Sequence, residues 1–391
     1  MVALHYKGRI HKAKFSMRAI RYILSDQAAQ VIPALQRRWL LPVESRPAGD
    51  AASEDLPVST ARIETPLPEA LAKLVPPFRQ PLETTQHFYT LDDTTVTGWA
   101  GAMMKDGVLL ALHPGPNWTA QVRAHPHRLR MLPGSRAYFN LMTPIPARGH
   151  IFHWLFDSIV PLLTFLESGG RELDLGLIVN AERKSFQQMT VDFIKARYGI
   201  EVLEPLGARD AVHVPHLKVA VPEPVDPRAL QSPIGMAMLG ELGEFLAASV
   251  PADGFPKRIY ISRNDARLRR VRNEENICSL LEARGFQRVA LAGLPIARQV
   301  QLFRQAEAVV APHGAGLAHT AWCQPGTKII EFFPGLGARK PKNATANMWL
   351  IAMQRGLDHR CYLAGPPESR ADHFTIPESL LLRALEEASI R

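Results

Sequence analysis

Between Arg258 and Phe333 the chain repeats one pattern: a short apolar run, then an amphipathic helical stretch. Arg258-Ile-Tyr-Ile-Ser, Arg288-Val-Ala-Leu, Ala308-Val-Val-Ala and Lys328-Ile-Ile-Glu-Phe-Phe are the runs. Between them lie Glu274–Arg284, opened by Asn273 and closed by Gly285, then Ile296–Ala306 and Leu317–Cys323. Continuous apolar runs suit strands buried on both faces, and strands joined through helices must run parallel with right-handed crossovers. This predicts an α/β fold with a doubly wound sheet, which binds ligands outside the carboxyl ends of its strands.

The preceding part of the chain carries a weaker version of the same pattern. Gly107-Val-Leu-Leu-Ala-Leu and Leu175-Gly-Leu-Ile-Val read as strands, and Ile151–Glu167 and Ser185–Tyr198 as helices. A Pro-rich break, Val221-Pro-Glu-Pro-Val-Asp-Pro, precedes a helix through Ala229–Ser249. With 391 residues there is room for two or three domains. The expected division is a basic N-terminal helical segment and connector over 1–81, a first α/β domain over 82–228, a second over 229–370, and a C-terminal helix over 371–391 with packing back onto the first domain as an option. Within 1–81, residues 13–40 read as a helix, and 42–81, with eight prolines, as an extended connector.

Charge narrows the function classes. The formal net charge is +9, but residues 1–40 hold +7 and residues 255–272 hold +6, so the remainder is slightly acidic. Two local clusters do not make a nucleic-acid-coating surface, and no nucleic-acid partner is expected. Residues 1–40 keep two readings, a solvated face on a packed helix or peripheral contact with anionic lipid. The three cysteines, Cys278, Cys323 and Cys361, form no C-x-x-C, which suits a reducing compartment. No run approaches 18 apolar residues, and the basic N-terminus lacks the apolar centre of a secretory signal. The expected location is cytoplasmic, with the inner membrane surface as an option.

Three segments carry chemistry. In Ala308-Val-Val-Ala-Pro-His-Gly-Ala-Gly316 a strand ends in the loop His313, Gly314, Ala315, Gly316, which turns into a helix. Glycines admit a ligand close to the backbone, and the N–H groups at a helix start attract an anion. Glu331 ends the next strand, where a carboxylate can accept both hydroxyls of a ribose. Arg258-Ile-Tyr-Ile-Ser delivers Arg263 and Arg267 into a loop at the same sheet edge, where guanidinium groups suit phosphate oxygens. Arg269, Arg270 and Arg272 read more readily as a solvated loop. Together the first two segments predict a nucleoside diphosphate site. In the third, Arg148-Gly-His-Ile-Phe-His-Trp-Leu-Phe-Asp157, a helix puts His153 and Asp157 at i and i+4, near enough to share a proton as a general base. Neither D-x-D nor H-E-x-x-H occurs, so a divalent metal has no obvious ligands, and no cofactor is expected beyond a nucleotide-sugar substrate.

These segments resemble glycosyltransferase family 61. The likeness rests on His153-Trp154 with Asp157, on Arg258-Ile-Tyr-Ile-Ser-Arg263, and on Pro312-His-Gly-Ala-Gly316 followed by Pro325-Gly-Thr-Lys-Ile-Ile-Glu331. The resemblance implies a GT-B architecture, two Rossmann-like domains with parallel sheets facing across a cleft. It further implies an inverting, metal-free transfer from a nucleotide sugar, UDP-linked by expectation, to a hydroxyl of a glycan or lipid-linked glycan. Capsule, exopolysaccharide or lipopolysaccharide synthesis is the expected setting. Donor contacts fall to Arg263, Arg267, His313, Gly314, Ala315, Gly316 and Glu331, and base catalysis to His153 or Asp157. Two alternatives stand beside this: another GT-B transferase with retaining outcome, and a non-catalytic nucleotide-binding protein.

Overall fold

The computed structural model describes residues 2–6, 9–13, 45–47, 53–75, 81–83, 85–98, 101–105, 108–111, 128–142, 150–207, 210–221, 229–337, 344–368 and 371–391. Its strands are β1 (Val2–Tyr6), β2 (Arg9–Ala13), β3 (Ser45–Pro47), β4 (Ser53–Ser59), β5 (Thr85–Thr97), β6 (Met103–Lys105), β7 (Val108–Ala111), β8 (Arg128–Met131), β9 (Ala137–Asn140), β10 (Leu175–Asn180), β11 (Leu203–Leu206), β12 (Asp210–Val221), β13 (Arg258–Ile261), β14 (Phe286–Val289), β15 (Ala308–Pro312), β16 (Lys328–Phe333) and β17 (Asp358–Leu363). β1 and β2 pair antiparallel.

The second half follows its sequence closely. β14, β13, β15, β16 and β17 form, in that order, a wholly parallel sheet. Helices Glu274–Glu282 and Ile296–Gln305 occupy two of the crossovers, and a 3-10 helix, Ala315–Trp322, takes the place of the expected α-helix after β15. β15 is buried along its whole length, as a central parallel strand requires. The strand order reverses between β13 and β15, so this sheet has a switch point there.

The first half departs from expectation. Its strands join in a sheet ordered β11, β10, β9, β12, β5, β6, β7, β3, with β4 on β5 and β8 on β12. Only part is parallel, notably β9, β10, β11 and β12, while β12 and β5 make a long antiparallel pair. The sheet is therefore mixed, not the parallel sheet the resemblance implies. Strand β4 and the short helix Glu69–Ala72 lie inside the expected connector, and Leu71, Leu74 and Val75 are buried. Prolines misled here: β4 pairs on β5 alone among the described strands, and such a position tolerates Pro57. The helix expected over 13–40 lies outside the described residues, apart from Ala13, which ends β2.

The C-terminal helix, Glu378–Glu387, packs on the second sheet and not on the first. Leu381, Ala384 and Leu385 share an apolar cluster with Tyr260, Ile277, Val310 and Ile330. A larger core spans both halves, from Phe88 and Phe165 to Ile259 and Trp322. Helix Val160–Glu167 crosses helix Pro233–Ala247 closely enough that a Cβ on Gly235 would overlap Thr164. Among the described residues no helix is long and apolar enough to cross a membrane.

Candidate functional site

The expected helix over 151–167 forms, but with a widened turn in its middle. Ile151–Trp154 is α-helical, Leu155–Ile159 is a π turn, and Val160–Glu167 resumes the α-helix. Pro161 accounts for the widening. A helical proline lacks an N–H and its ring crowds the carbonyl four residues back, here that of Asp157. The Val160 N–H bonds instead to the Leu155 carbonyl, an i to i−5 contact. Buried Phe152, Trp154, Leu155 and Phe156 anchor the turn. On its outer face His153 Nδ1 and Asp157 Oδ2 lie 2.8 Å apart, the two side chains 20% and 10% exposed. A His–carboxylate pair that is largely covered but keeps some solvent exposure can accept a proton from a substrate hydroxyl.

A second cluster forms at the switch point of the parallel sheet. Arg263 follows β13 and Gly314 follows β15, so neighbouring strands bring them together. A Cβ on Gly314 would fall on Nη1 of Arg263, so only glycine lets the guanidinium lie in its present place. Arg263 Nη2 donates to the Leu268 carbonyl at 3.0 Å. Burial and the neighbouring Arg269 charge lower its pKa to about 10, which leaves it charged at neutral pH. The strand end is pinned by buried Glu274. That carboxylate accepts from Tyr260 Oη at 2.9 Å, Ser262 Oγ at 3.0 Å and Arg288 Nη2 at 2.7 Å.

Glu331 sits differently from its expected role. It is 1% exposed, and its two oxygens meet His313 Nδ1 at 2.6 Å and His359 Nε2 at 2.9 Å. Burial works against its charge, but the charges and hydrogen bonds of His313 and His359 outweigh that and hold the carboxyl at about 2, well below its ordinary range. A carboxylate engaged this way inside the core is not presented to a ribose; it fixes His313, whose ring also stacks on Phe333 at 4.3 Å. His313 itself is only 4% exposed. Ala315 and Gly316 start the 3-10 helix half-buried, Gly314 is buried, and Arg267 stays exposed.

The residue that the sequence undervalued is Arg269. It is half-buried, its pKa lowered by burial against the raising influence of Asp372 and Glu331, so it belongs to the same charged group. Its φ of 56° is unusual outside glycine and is held by its N–H on the Ala371 carbonyl at 2.8 Å. Residues 270–272 are likewise bonded to His373 and Phe374. The arginine loop is thus shaped by a segment a hundred residues away, which no local pattern announces. Glu274, by contrast, had a signal, an acid at the start of a predicted helix.

The two clusters are neighbours. Helix Ile151–Trp154 packs on the 3-10 helix Ala315–Trp322. His150, whose ring centre lies 5.8 Å from that of His153, has its pKa lowered by burial first and then by the charges of His153, Lys184 and Arg263. The base candidate and the guanidinium therefore share one electrostatic surrounding.

A parallel α/β sheet with a basic, glycine-lined switch point offers a ligand site outside the carboxyl ends of its strands, with the His–Asp pair on a neighbouring helix. Residues 151–330 match the family model described as Glycosyltransferase 61, so this part of the chain is similar to that family of glycosyltransferases. The matched residues take in His153, Asp157, Arg263 and the Gly314 loop. No curated protein matches the chain.

Proposed function

We propose that the protein moves a sugar from a nucleoside diphosphate donor, UDP-linked, to a hydroxyl of a glycan or lipid-linked glycan, with inversion and without a metal. The observation that carries the donor half is Arg263 seated on Gly314 at the switch point. A guanidinium there meets the leaving diphosphate as its charge develops, the task a metal ion performs elsewhere, while Arg269 adds to the positive field. The first N–H groups of the 3-10 helix, at Ala315 and Gly316, provide further donors. On the opposite side the acceptor hydroxyl gives its proton to the His153–Asp157 pair and attacks the anomeric carbon from the face away from the diphosphate. Arg267, on the exposed rim of the loop, is a weaker donor contact.

This reading places the two halves as the two domains of a GT-B enzyme, with the acceptor on the first. Its setting is glycan assembly in the cytoplasm. A melting screen against nucleotide sugars tests the donor assignment, since a ligand at 100 times its Kd adds roughly 2.7 kcal/mol to stability. UDP and one UDP-sugar should raise the melting temperature, and other nucleotides should not. A product with retained anomeric configuration would overturn inversion, and turnover lost to EDTA and restored by magnesium would overturn the metal-free step.

A further inference from the structure

The π turn leaves one backbone group without a helical partner. In an α-helix the Phe156 carbonyl would accept from the Val160 N–H, but that donor goes to Leu155. The next candidate along the chain, residue 161, is proline and has no N–H. The carbonyl is instead met by Gln231 Nε2 at 3.1 Å, from a segment 75 residues away. A buried carbonyl with no partner is costly, so this bond matters to the shape of the turn.

Gln231 is placed for that task on every side. It is 4% exposed, and its N–H donates to Gln354 Oε1 at 2.9 Å while its carbonyl accepts from the Ala61 N–H at 2.8 Å. Its Oε1 accepts from Gln86 Nε2 at 3.3 Å, which leaves the amide nitrogen facing Phe156. Gln354 also donates to the Ala229 carbonyl at 2.6 Å, and Ser232 shares a hydrogen bond with Thr164 at 2.7 Å. The segment 229–232 is therefore fixed to both halves of the molecule just before helix Pro233–Ala247.

We propose that Gln231 is a positioning residue for the His153–Asp157 pair: its amide supplies the hydrogen bond that Pro161 withholds from Phe156, and so holds the π turn at the width that sets Asp157 on His153. The proposal rests on the assignment of that pair as the base, but it makes a claim about geometry that can fail separately. Through Gln354 the same residue ties the base to the half that carries Arg263.

The test uses the full chain labelled with nitrogen-15 histidine. The proton shared by His153 Nδ1 and Asp157 gives a downfield resonance, assigned by its loss in His153→Gln. Gln231→Met keeps volume and removes the donor. The expected result is a folded protein whose resonance is shifted or lost, with kcat on the selected UDP-sugar down at least tenfold and donor KM within twofold. Gln231→Glu can donate to the carbonyl only while protonated, so its kcat relative to the unsubstituted protein should recover toward acidic pH. An unchanged resonance in folded Gln231→Met, or no acid recovery in Gln231→Glu, overturns the proposal. If Gln231→Met does not fold, Pro161→Ala provides the second arm. Restoring an N–H at position 161 lets the turn relax to an α-helix and relieves the Phe156 carbonyl. Gln231→Met should then fold and melt close to the Pro161→Ala parent. Failure of that background to rescue it overturns the proposal as well. Absence of sugar transfer in the unsubstituted protein would instead count against the function and leave the resonance and melting results to stand by themselves.

Discussion

The His153–Asp157 pair and the Arg263–Gly314–Glu331 cluster are built in opposite ways. The pair is local: two side chains one turn apart, partly exposed, 2.8 Å from each other. The cluster draws on β13, β15, β16, β17 and the segment 371–374, and its carboxylate is 1% exposed. A group proposed to transfer protons has to reach substrate and change protonation, which partial exposure allows. A group that holds a fixed positive field has to be assembled and kept in place, so it is braced from the core. Under the proposed function, the difference teaches that the His153–Asp157 pair should respond to substitution through chemistry alone, and the charged cluster through chemistry and stability together.

The largest expected effect is at the pair. Asp157→Ala or His153→Ala should lower sugar transfer on the order of a hundredfold to ten-thousandfold, with nucleotide affinity by calorimetry and melting temperature little changed. Transfer that survives both substitutions would break the contrast at its functional end. Next, Arg263→Ala should cost about a hundredfold to a thousandfold in rate and also weaken nucleotide binding. Arg263→Lys should recover little, because a single ammonium cannot make a bidentate contact.

Gly314→Ala sharpens the comparison further. The new methyl group displaces the Arg263 guanidinium, so nucleotide affinity should fall roughly tenfold, about 1.4 kcal/mol. Combined with Arg263→Ala it should add almost nothing, since both remove one contact. Additive losses in calorimetry would show that Gly314 acts independently.

The smallest effect on rate and the clearest on stability belongs to Glu331→Gln. Folding lowers the pKa of this carboxyl from its ordinary 4.5 to about 2. A lowered carboxyl stabilises the fold above the unfolded value, and that contribution is lost as pH falls from near 4.5 toward 2. The variant should therefore melt earlier than the unsubstituted protein at pH 7, with the gap narrowing as pH falls below 4.5 and closing near pH 2. Parallel melting curves at the two ends of that range would remove Glu331 from the group that braces the cluster.

Much of the second half was legible because buried parallel strands write themselves as unbroken apolar runs. Lys328–Phe333 and the helix Ser185–Tyr198 match their expected limits. The first sheet was less legible, since β4 hides among prolines and the antiparallel partners β5 and β12 lie more than a hundred residues apart in sequence. At the site, the i, i+4 spacing made His153 and Asp157 readable, as strand ends did for Arg263. Glu331 was placed at the right strand end with the wrong task, because sequence does not say which way a carboxylate turns or that His359 waits on the next strand. Arg269 read more readily as part of a solvated loop, because its partial burial depends on Ala371 and Asp372.

By itself the sequence determined the parallel sheet, the glycine loop, the basic loop and the His–Asp spacing, all products of local periodicity and residue type. Only the tertiary structure decided which loops meet at the switch point, that Glu331 is spent on two histidines, and that Gln231 completes the turn beneath Asp157. The physical reason is that hydrogen-bond partners and burial are properties of segments brought together from far along the chain, and no window of neighbouring residues contains them.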